Sequence, residues 1–389
     1  MADKMCYYPF VQMTITADGK FRPCCKASSP LTHEGRILDA STDTILTAWN
    51  SDSLKQMREQ FRNGEKPETC RNCWKEEAAG LDSLRAHSLV WREMFERRQT
   101  ANPRSVELSS SNLCNLKCRI CGGHSSTKWI AESKEILNEE HFAYQNLNDI
   151  NLSALSKIQS DLLAVSFYGG EPLLDPQNLR LIEQFIRDDQ APGISLAMNT
   201  NGTVCNDDLI NKMREFRQIH LNFSIDDTYD RFEYQRKGAS FEKVVSNVLA
   251  YKSALFGRNN NTLNIFITVS LMNVFSLGET IQHHLRTFPG MPIIIAVLNE
   301  PNYLSIDILP KGLKAIVSEK LNGIPRSDLI QGIKIDGVVS YMMNSDPAGK
   351  GERLRDFFQI LRSIDNSRNE RFSAVQPEFW ELLKASRYE

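Results

Sequence analysis

Cys114-Asn115-Leu116-Lys117-Cys118-Arg119-Ile120-Cys121 carries three cysteines in a CxxxCxxC spacing, directly after the strand-like run Ser105–Ser109. Three thiolates on one short loop hold three irons of a cubane cluster and leave the fourth iron open to chemistry. Lys117 and Arg119 lie between the ligands and are expected to offset the negative charge of thiolate and sulfide. Two plainer readings are three small buried residues that happen to cluster, and a zinc site short of one ligand. Three cysteines within one eight-residue stretch favour the cluster.

The rest of the chain sets the frame. Its 389 residues suffice for about two or three domains with an ample core. Apolar content of 41% and charged content of 24% are ordinary for a globular protein. A formal net charge of -2 gives no global attraction to nucleic acid or anionic membrane. No apolar run approaches the roughly 20 residues that span a bilayer. The N-terminal Met-Ala-Asp-Lys-Met-Cys lacks a secretory apolar stretch. Nine cysteines then point to reduced thiols and metal ligation in a cytoplasmic, reducing compartment.

Upstream of the loop, Cys6 precedes the alternating run Val11-Gln12-Met13-Thr14-Ile15-Thr16, which has strand periodicity. Asp18-Gly19 marks a hairpin turn, and Phe21 opens the returning strand towards Cys24 and Cys25. The hairpin is expected to bring Cys6 and Cys24 together at its open end. Leu54, Met57 and Phe61 share a helix face that Ser51 or Ser53 can cap and Gly64 can end. After Pro67 comes the CxxC knuckle Cys70-Arg71-Asn72-Cys73, then Trp74 and a second helical stretch. Cys6, Cys24, Cys70 and Cys73 make a complete ligand set, with Cys25 as a spare for Cys24. Ligand chemistry leaves a structural zinc and an iron–sulfur cluster both open.

From about residue 104 strand-like and helix-like segments alternate, the mark of a parallel sheet built from βα units. Strands are expected at 105–109, 162–168, 194–199, 219–225, 263–271 and 292–298. Polar residues gather at their C-terminal ends, where βα barrels place active sites. One such end is Gly169-Gly170-Glu171-Pro172, whose glycines allow close backbone approach and whose carboxylate suits an ammonium group. Asn199, Asn201 and Asn273 stand at other strand ends, where asparagine usually satisfies local backbone. Cys205, after the third strand's turn, reads as a packing residue. Beyond Pro310 the chain turns helical, with Leu313, Ile316 and Leu321 at helical spacing and Trp380 as a packing anchor. Residues 350–371 hold Lys350, Arg353, Arg355, Arg362, Arg368 and Arg371, either a solvated face or a phosphate-facing rim.

CxxxCxxC followed one βα unit later by Gly169-Gly170-Glu171 resembles the radical S-adenosylmethionine (radical SAM) superfamily. Ile120 stands where that family often has an aromatic residue. The resemblance implies an α/β fold with a partial (β/α)6 barrel and a 4Fe–4S cluster on Cys114, Cys118 and Cys121 that binds SAM. It implies that Gly169, Gly170 and Glu171 contact the SAM amino group, Ser224 and Asp226 the ribose, and Arg236 the carboxylate. Cys6, Gly19 and Cys24 resemble the opening of the twitch or SPASM auxiliary-cluster domains, which implies an auxiliary 4Fe–4S cluster on the N-terminal cysteines. That module usually follows the barrel; preceding it, as here, resembles an N-terminal-twitch group represented among phages. Expected domains are 1–103 for the auxiliary module, 104–310 for the barrel and 311–389 for a helical segment that covers substrate.

The implied activity is reductive cleavage of SAM to a 5′-deoxyadenosyl radical that abstracts hydrogen from a substrate carbon, with electrons from a flavodoxin or ferredoxin. Peptide modification is the first expectation, because SPASM and twitch relatives mostly act on ribosomal peptides. A second is a phage-type rearrangement of a modified DNA nucleotide or its amino-acid adduct. A zinc-stabilised interaction protein without catalysis is the reading from another class.

Overall fold

Six apolar strands that alternate with helices form the body of the computed structural model, which describes residues 4–97, 101–109, 111–137, 158–324, 334–344 and 349–386. Two strands come from the N-terminal hairpin, β1 (Gln12–Ile15) and β2 (Phe21–Arg22). The others are β3 (Ser105–Ser109), β4 (Ala164–Tyr168), β5 (Ser195–Thr200), β6 (Gln218–Ser224), β7 (Thr262–Val269) and β8 (Ile293–Val297). Their order in one sheet is β8-β7-β6-β5-β4-β3-β1-β2. Strands β3 to β8 are parallel and sequential, as a partial (β/α)6 barrel requires. Helices Pro176–Arg187, Asp207–Arg214, Phe241–Leu255 and Leu277–Thr287 follow successive strands.

The N-terminal module is built into this sheet. β1 pairs antiparallel with β2 on one side and parallel with β3 on the other, Thr14 opposite Glu107. The hairpin expected at the module's start is therefore also the edge of the barrel. Helix Asp52–Arg62 buries Leu54, Met57 and Phe61, as its spacing predicts. Neither serine caps it in the expected way: Ser51 makes no side-chain cap bond, and Ser53 Oγ binds the Thr32 backbone.

Strand β6 alternates buried Ile219, Leu221 and Phe223 with half-buried His220, Asn222 and Ser224. A parallel sheet covered on both faces reads as continuous apolar runs. Here the second face is polar, and this is the lumen. Register lines up Thr14, Glu107, Ser166, Ala197 and His220 in one row across five strands. In a further row Asn264 Nδ2 donates to Asn222 Oδ1 (2.9 Å), and Asn222 Nδ2 donates to Asn199 Oδ1 (2.8 Å).

Helix Lys311–Asn322 buries Leu313, Val317 and Leu321, whereas Ile316, expected on that face, is 42% exposed. Helix Lys350–Arg368 and the short helices Phe372–Val375 and Pro377–Ala385 close the chain, with Trp380 packed against Phe358 and Phe372. Among the described residues no helix is long and apolar enough to cross a membrane.

Candidate cluster and cofactor site

The loop after β3 is shaped by the glycines after β4. A Cβ on Gly169 would stand 2.5 Å from the Ser111 carbonyl oxygen, and one on Gly170 only 2.3 Å from that of Leu113. Bare backbone lets Gly170 N–H donate to Ser111 O (3.1 Å) and Glu171 N–H to Leu113 O (2.8 Å). The close approach expected towards a ligand is made towards the cysteine loop itself. Glu171 is buried: Oε1 accepts from Thr200 Oγ1 (2.8 Å) and Leu173 N–H (3.2 Å), and Oε2 from Asn201 N–H (2.7 Å). Burial raises its pKa against those hydrogen bonds. A carboxylate has about four acceptor positions, so Glu171 ties the ends of β4 and β5 and keeps little capacity for more.

Within the loop, Cys114 Sγ accepts from Leu116 N–H (3.5 Å) and Asn201 Nδ2 (3.9 Å). Lys117 and Cys118 form a short antiparallel ladder with Lys237 and Arg236, which sets Arg236 opposite Cys118. Arg236 Nη1 donates to Cys118 Sγ (3.8 Å), while Nη2 and Nε hold Asp226 Oδ2 at 2.6 and 2.9 Å. Asp226 Oδ1 accepts from Thr268 N–H (2.8 Å). The two residues expected at opposite ends of SAM are thus paired with each other. A hydrogen bond from Cys121, together with the Arg236 charge, pulls the Cys118 thiol below its usual range despite burial. Trp129 Nε1 donates to the Cys118 carbonyl (2.7 Å) and fixes the turn. Ser224, the expected ribose contact, ends β6 half-buried beside this pair.

Lys117 and Arg119 do not offset charge at the cysteines as expected. Lys117 Nζ pairs with Glu132, and Arg119 Nη2 pairs with Asp365 (2.8 Å) and Glu370 (2.7 Å). Arg236, and more weakly Arg368, supply the positive charge at Cys118 instead. The phosphate-facing rim also fails at two positions: Arg353 pairs with Asp307 (3.1 Å) and Arg368 with Glu132 (2.7 Å). Asn273 turns to backbone, donating to the neighbouring Thr268 carbonyl and to the Asp226 carbonyl at the end of the adjacent strand, both at 3.0 Å.

In the N-terminal module the charges of Cys6, Glu107, Cys70 and Cys73 act on the Cys24 thiol, whereas Glu107 and Cys24 act on Cys25, which also hydrogen-bonds Glu107. Of the two adjacent thiols, Cys24 is the one on which Cys6, Cys70 and Cys73 act strongly. Burial pushes Cys6 up to about 11 and Cys70 up to about 12, and raises Cys24 and Cys73 as well. Such thiols keep their protons until a metal displaces them. Cys25 is exposed by its accessible area, and desolvation together with the Glu107 charge raises its pKa. Sequence reasoning missed Glu107, which is buried on β3 beside Cys25, Thr14 and Gln12. Its one signal was a lone charge inside an apolar strand. All nine cysteines are free thiols, and among the described residues no three Cys, His, Asp or Glu side chains close around a single ion.

The donor set fits thiolate-held clusters. Buried sulfurs on one loop receive N–H donors and one guanidinium, the partners that anionic sulfur takes.

Family comparison agrees. Residues 108–275 match the model of the radical SAM superfamily, and residues 6–74 match that of the SPASM iron–sulfur cluster-binding domain. A probable GTP 3′,8-cyclase of Methanococcus maripaludis strain C6 is 31% identical over 273 residues, covering 67% of this chain and 84% of that protein. An AdoMet-dependent heme synthase of Methanosarcina barkeri is 26% identical over 187 residues, 47% of each chain. Among solved structures, native anSMEcpe with bound AdoMet aligns with TM-score 0.42 and 17% identity, over 58% of this chain and 61% of that one. Streptococcus suis SuiB bound to S-adenosylmethionine gives 0.38 and 13%, over 73% and 64%. The chain thus spans a little over three-fifths of these two solved chains. With its cysteine loop in place and both family models matched, the chain belongs to the radical SAM superfamily: it is an enzyme that uses S-adenosylmethionine and 4Fe–4S clusters, and its auxiliary cluster-binding domain precedes the barrel.

Proposed function

We propose that this enzyme modifies a peptide at an unactivated carbon, with Cys114, Cys118 and Cys121 holding the SAM-binding cluster and Cys6, Cys24, Cys70 and Cys73 the auxiliary one. The bound cluster and SAM supply a carbon-centred radical. The chain supplies the rest. In this reading Arg236 meets the SAM carboxylate while it holds Asp226, Ser224 and Asp226 flank the ribose, and Gly169, Gly170 and Glu171 hold the loop, with the remaining acceptor position of Glu171 left for the amino group.

The lumen carries the substrate reading. Its strand residues present the Asn199–Asn222–Asn264 amide row and the Glu107 carboxylate. Among the described strand residues on that face the one lysine or arginine is Arg22, opposite Thr14, and its Nη1 donates to the Ala27 carbonyl at 2.6 Å. Amides offer paired donors and acceptors that match peptide groups. A triphosphate needs several cations, more than Arg22 alone supplies on this face. The favoured test incubates reduced, reconstituted enzyme with SAM and peptides encoded beside its gene. 5′-Deoxyadenosine together with a peptide mass change supports the reading.

A nucleotide substrate is the second reading, favoured by the 31% identity to a probable GTP 3′,8-cyclase. Turnover with GTP or with nucleotides of modified DNA, and with no peptide, would replace the first reading by this one.

A further inference from the structure

Two polar knots fasten the C-terminal segment to the cysteine loop. In the first, Arg119 sits between Cys118 and Cys121 and is 2% exposed. Its Nη2 binds Asp365 Oδ1 (2.8 Å) and Glu370 Oε2 (2.7 Å), and its Nε donates to the Tyr234 carbonyl (3.0 Å). The guanidinium lies 3.6 Å from the Tyr234 ring centroid, and the Tyr234 hydroxyl donates to Asp365 Oδ1 (2.6 Å). Glu370 Oε1 takes Lys237 Nζ at 2.7 Å, and Lys237 stands opposite Lys117 on the ladder. Arg119 Nη1 is buried with no hydrogen-bond partner.

In the second knot, Arg368 grips Glu132 Oε2 through Nε (3.0 Å) and Nη2 (2.7 Å), and its Nη1 donates to the Lys117 carbonyl (2.8 Å). Its guanidinium covers the Trp129 ring at 4.6 Å, and Trp129 in turn holds the Cys118 carbonyl. Glu132 also takes Lys117 Nζ. The main chain at two successive loop residues, 117 and 118, is therefore held by groups that depend on residue 368. Four cations, Lys117, Arg119, Lys237 and Arg368, face three carboxylates, Glu132, Asp365 and Glu370. The Arg119 and Arg368 guanidiniums are almost fully buried while Lys117 and Lys237 stay partly exposed, and a buried pair is a poor source of stability but a stringent geometric constraint. Bidentate guanidinium contacts add directionality that a single ammonium lacks.

We propose that Asp365, Arg368 and Glu370 are positioning residues for the barrel cluster, holding the cysteine loop in ligand geometry and limiting the positive charge that reaches it. This rests on Cys114, Cys118 and Cys121 being the ligands. The C-terminal segment thereby acts on the site from outside the barrel, and a change there is felt at the sulfurs.

The test uses the full-length, anaerobically reconstituted enzyme. Glu370→Gln keeps shape and removes the charge that balances Arg119 and Lys237. Its barrel cluster is expected to shift to a higher midpoint potential, followed by EPR-monitored titration, while the auxiliary cluster stays put. Arg368→Gln is expected to lose about half of roughly eight irons per chain, and Arg368→Lys to regain only part, because one ammonium cannot reproduce the fork. Wild-type iron in Arg368→Gln together with an unshifted potential in Glu370→Gln overturns the proposal. Equal shifts at both clusters in Glu370→Gln also overturn it, since that marks a global effect. Should Arg368→Gln fail to fold, the Glu370→Gln potential decides alone. A triple Cys114→Ala, Cys118→Ala, Cys121→Ala protein with undiminished iron would instead remove the underlying ligand assignment.

Discussion

Arg236 and Asp226 form a buried ion pair, Nη2 to Oδ2 2.6 Å, directly opposite Cys118 on the ladder that borders the cysteine loop. Asp226 also caps the Thr268 N–H, so the pair links the ends of β6 and β7 to the sulfur of one ligand. One guanidinium thus faces a carboxylate and a thiolate together.

Removing half of that pair strands the other charge. Arg236→Gln leaves the Asp226 carboxylate buried and is expected to destabilise the enzyme by about 3 kcal/mol. Adding Asp226→Asn removes the stranded charge and should restore the larger part in anaerobic urea denaturation. SAM affinity should stay reduced in both proteins. A double variant as unstable as Arg236→Gln alone would show that the pair is not the source of the loss.

Gly170→Ala tests the contact between strand end and cysteine loop. Its new Cβ would overlap the Leu113 carbonyl at 2.3 Å, and both neighbours are backbone, so neither yields cheaply. The loop must shift, and iron per chain is expected to fall by about half of roughly eight. Gly193→Ala, where nothing lies within 4 Å of the new atom, is the control that keeps full iron. Full iron in both proteins would mean that the loop tolerates displacement.

Glu107 gives the enzyme a pH signature. Burial pushes its carboxyl up to about 7, against hydrogen bonds from Cys25, Thr14 and Gln12. Between the ordinary carboxylate value and about 7 the folded protein keeps a proton that the unfolded chain has released, so this group's contribution to stability falls as pH rises through that window. Glu107→Gln removes the penalty. Its stability relative to wild type should therefore increase from about pH 5 to about pH 8, by on the order of 3 kcal/mol. Denaturation of both proteins at the two pH values checks this, and a difference that does not change with pH refutes it.

These sites differ in how far they could be read from residues alone. The six barrel strands follow from apolar runs whose periodicity survives any tertiary context, with ends off by a few residues, as at 162 against Ala164. The cysteine spacing is local chemistry and equally legible. Lys117 and Arg119 misled because nearness in sequence is not nearness of charge: their partners are Glu132 on the helix after the loop, Asp365 on the distant helix Lys350–Arg368 and Glu370 just beyond it. Glu107 was hidden for a related reason. Only the parallel pairing of β1 with β3 surrounds it with Gln12 and Thr14, and no pattern within either strand announces that pairing.

Cys24 and Cys25 show the same limit at the scale of one peptide bond, and they yield the sharpest test of the auxiliary site. Adjacent side chains at a strand end point apart. Here Cys6, Cys70 and Cys73 act on Cys24, and Cys25 hydrogen-bonds Glu107 of the lumen row, which also acts on Cys24. Cys24→Ala is therefore expected to lose the auxiliary cluster, about four of roughly eight irons, and keep the barrel cluster's EPR signal. Cys25→Ala should keep both clusters, and in the intact wild-type enzyme Cys25, slowed by its raised pKa, should still be alkylated at alkaline pH while Cys24 is protected. Iron and sulfide analysis beside peptide mapping of the alkylated protein separates the two thiols. Loss of iron in Cys25→Ala with retention in Cys24→Ala would reverse the assignment and move the auxiliary cluster to the lumen side of the hairpin.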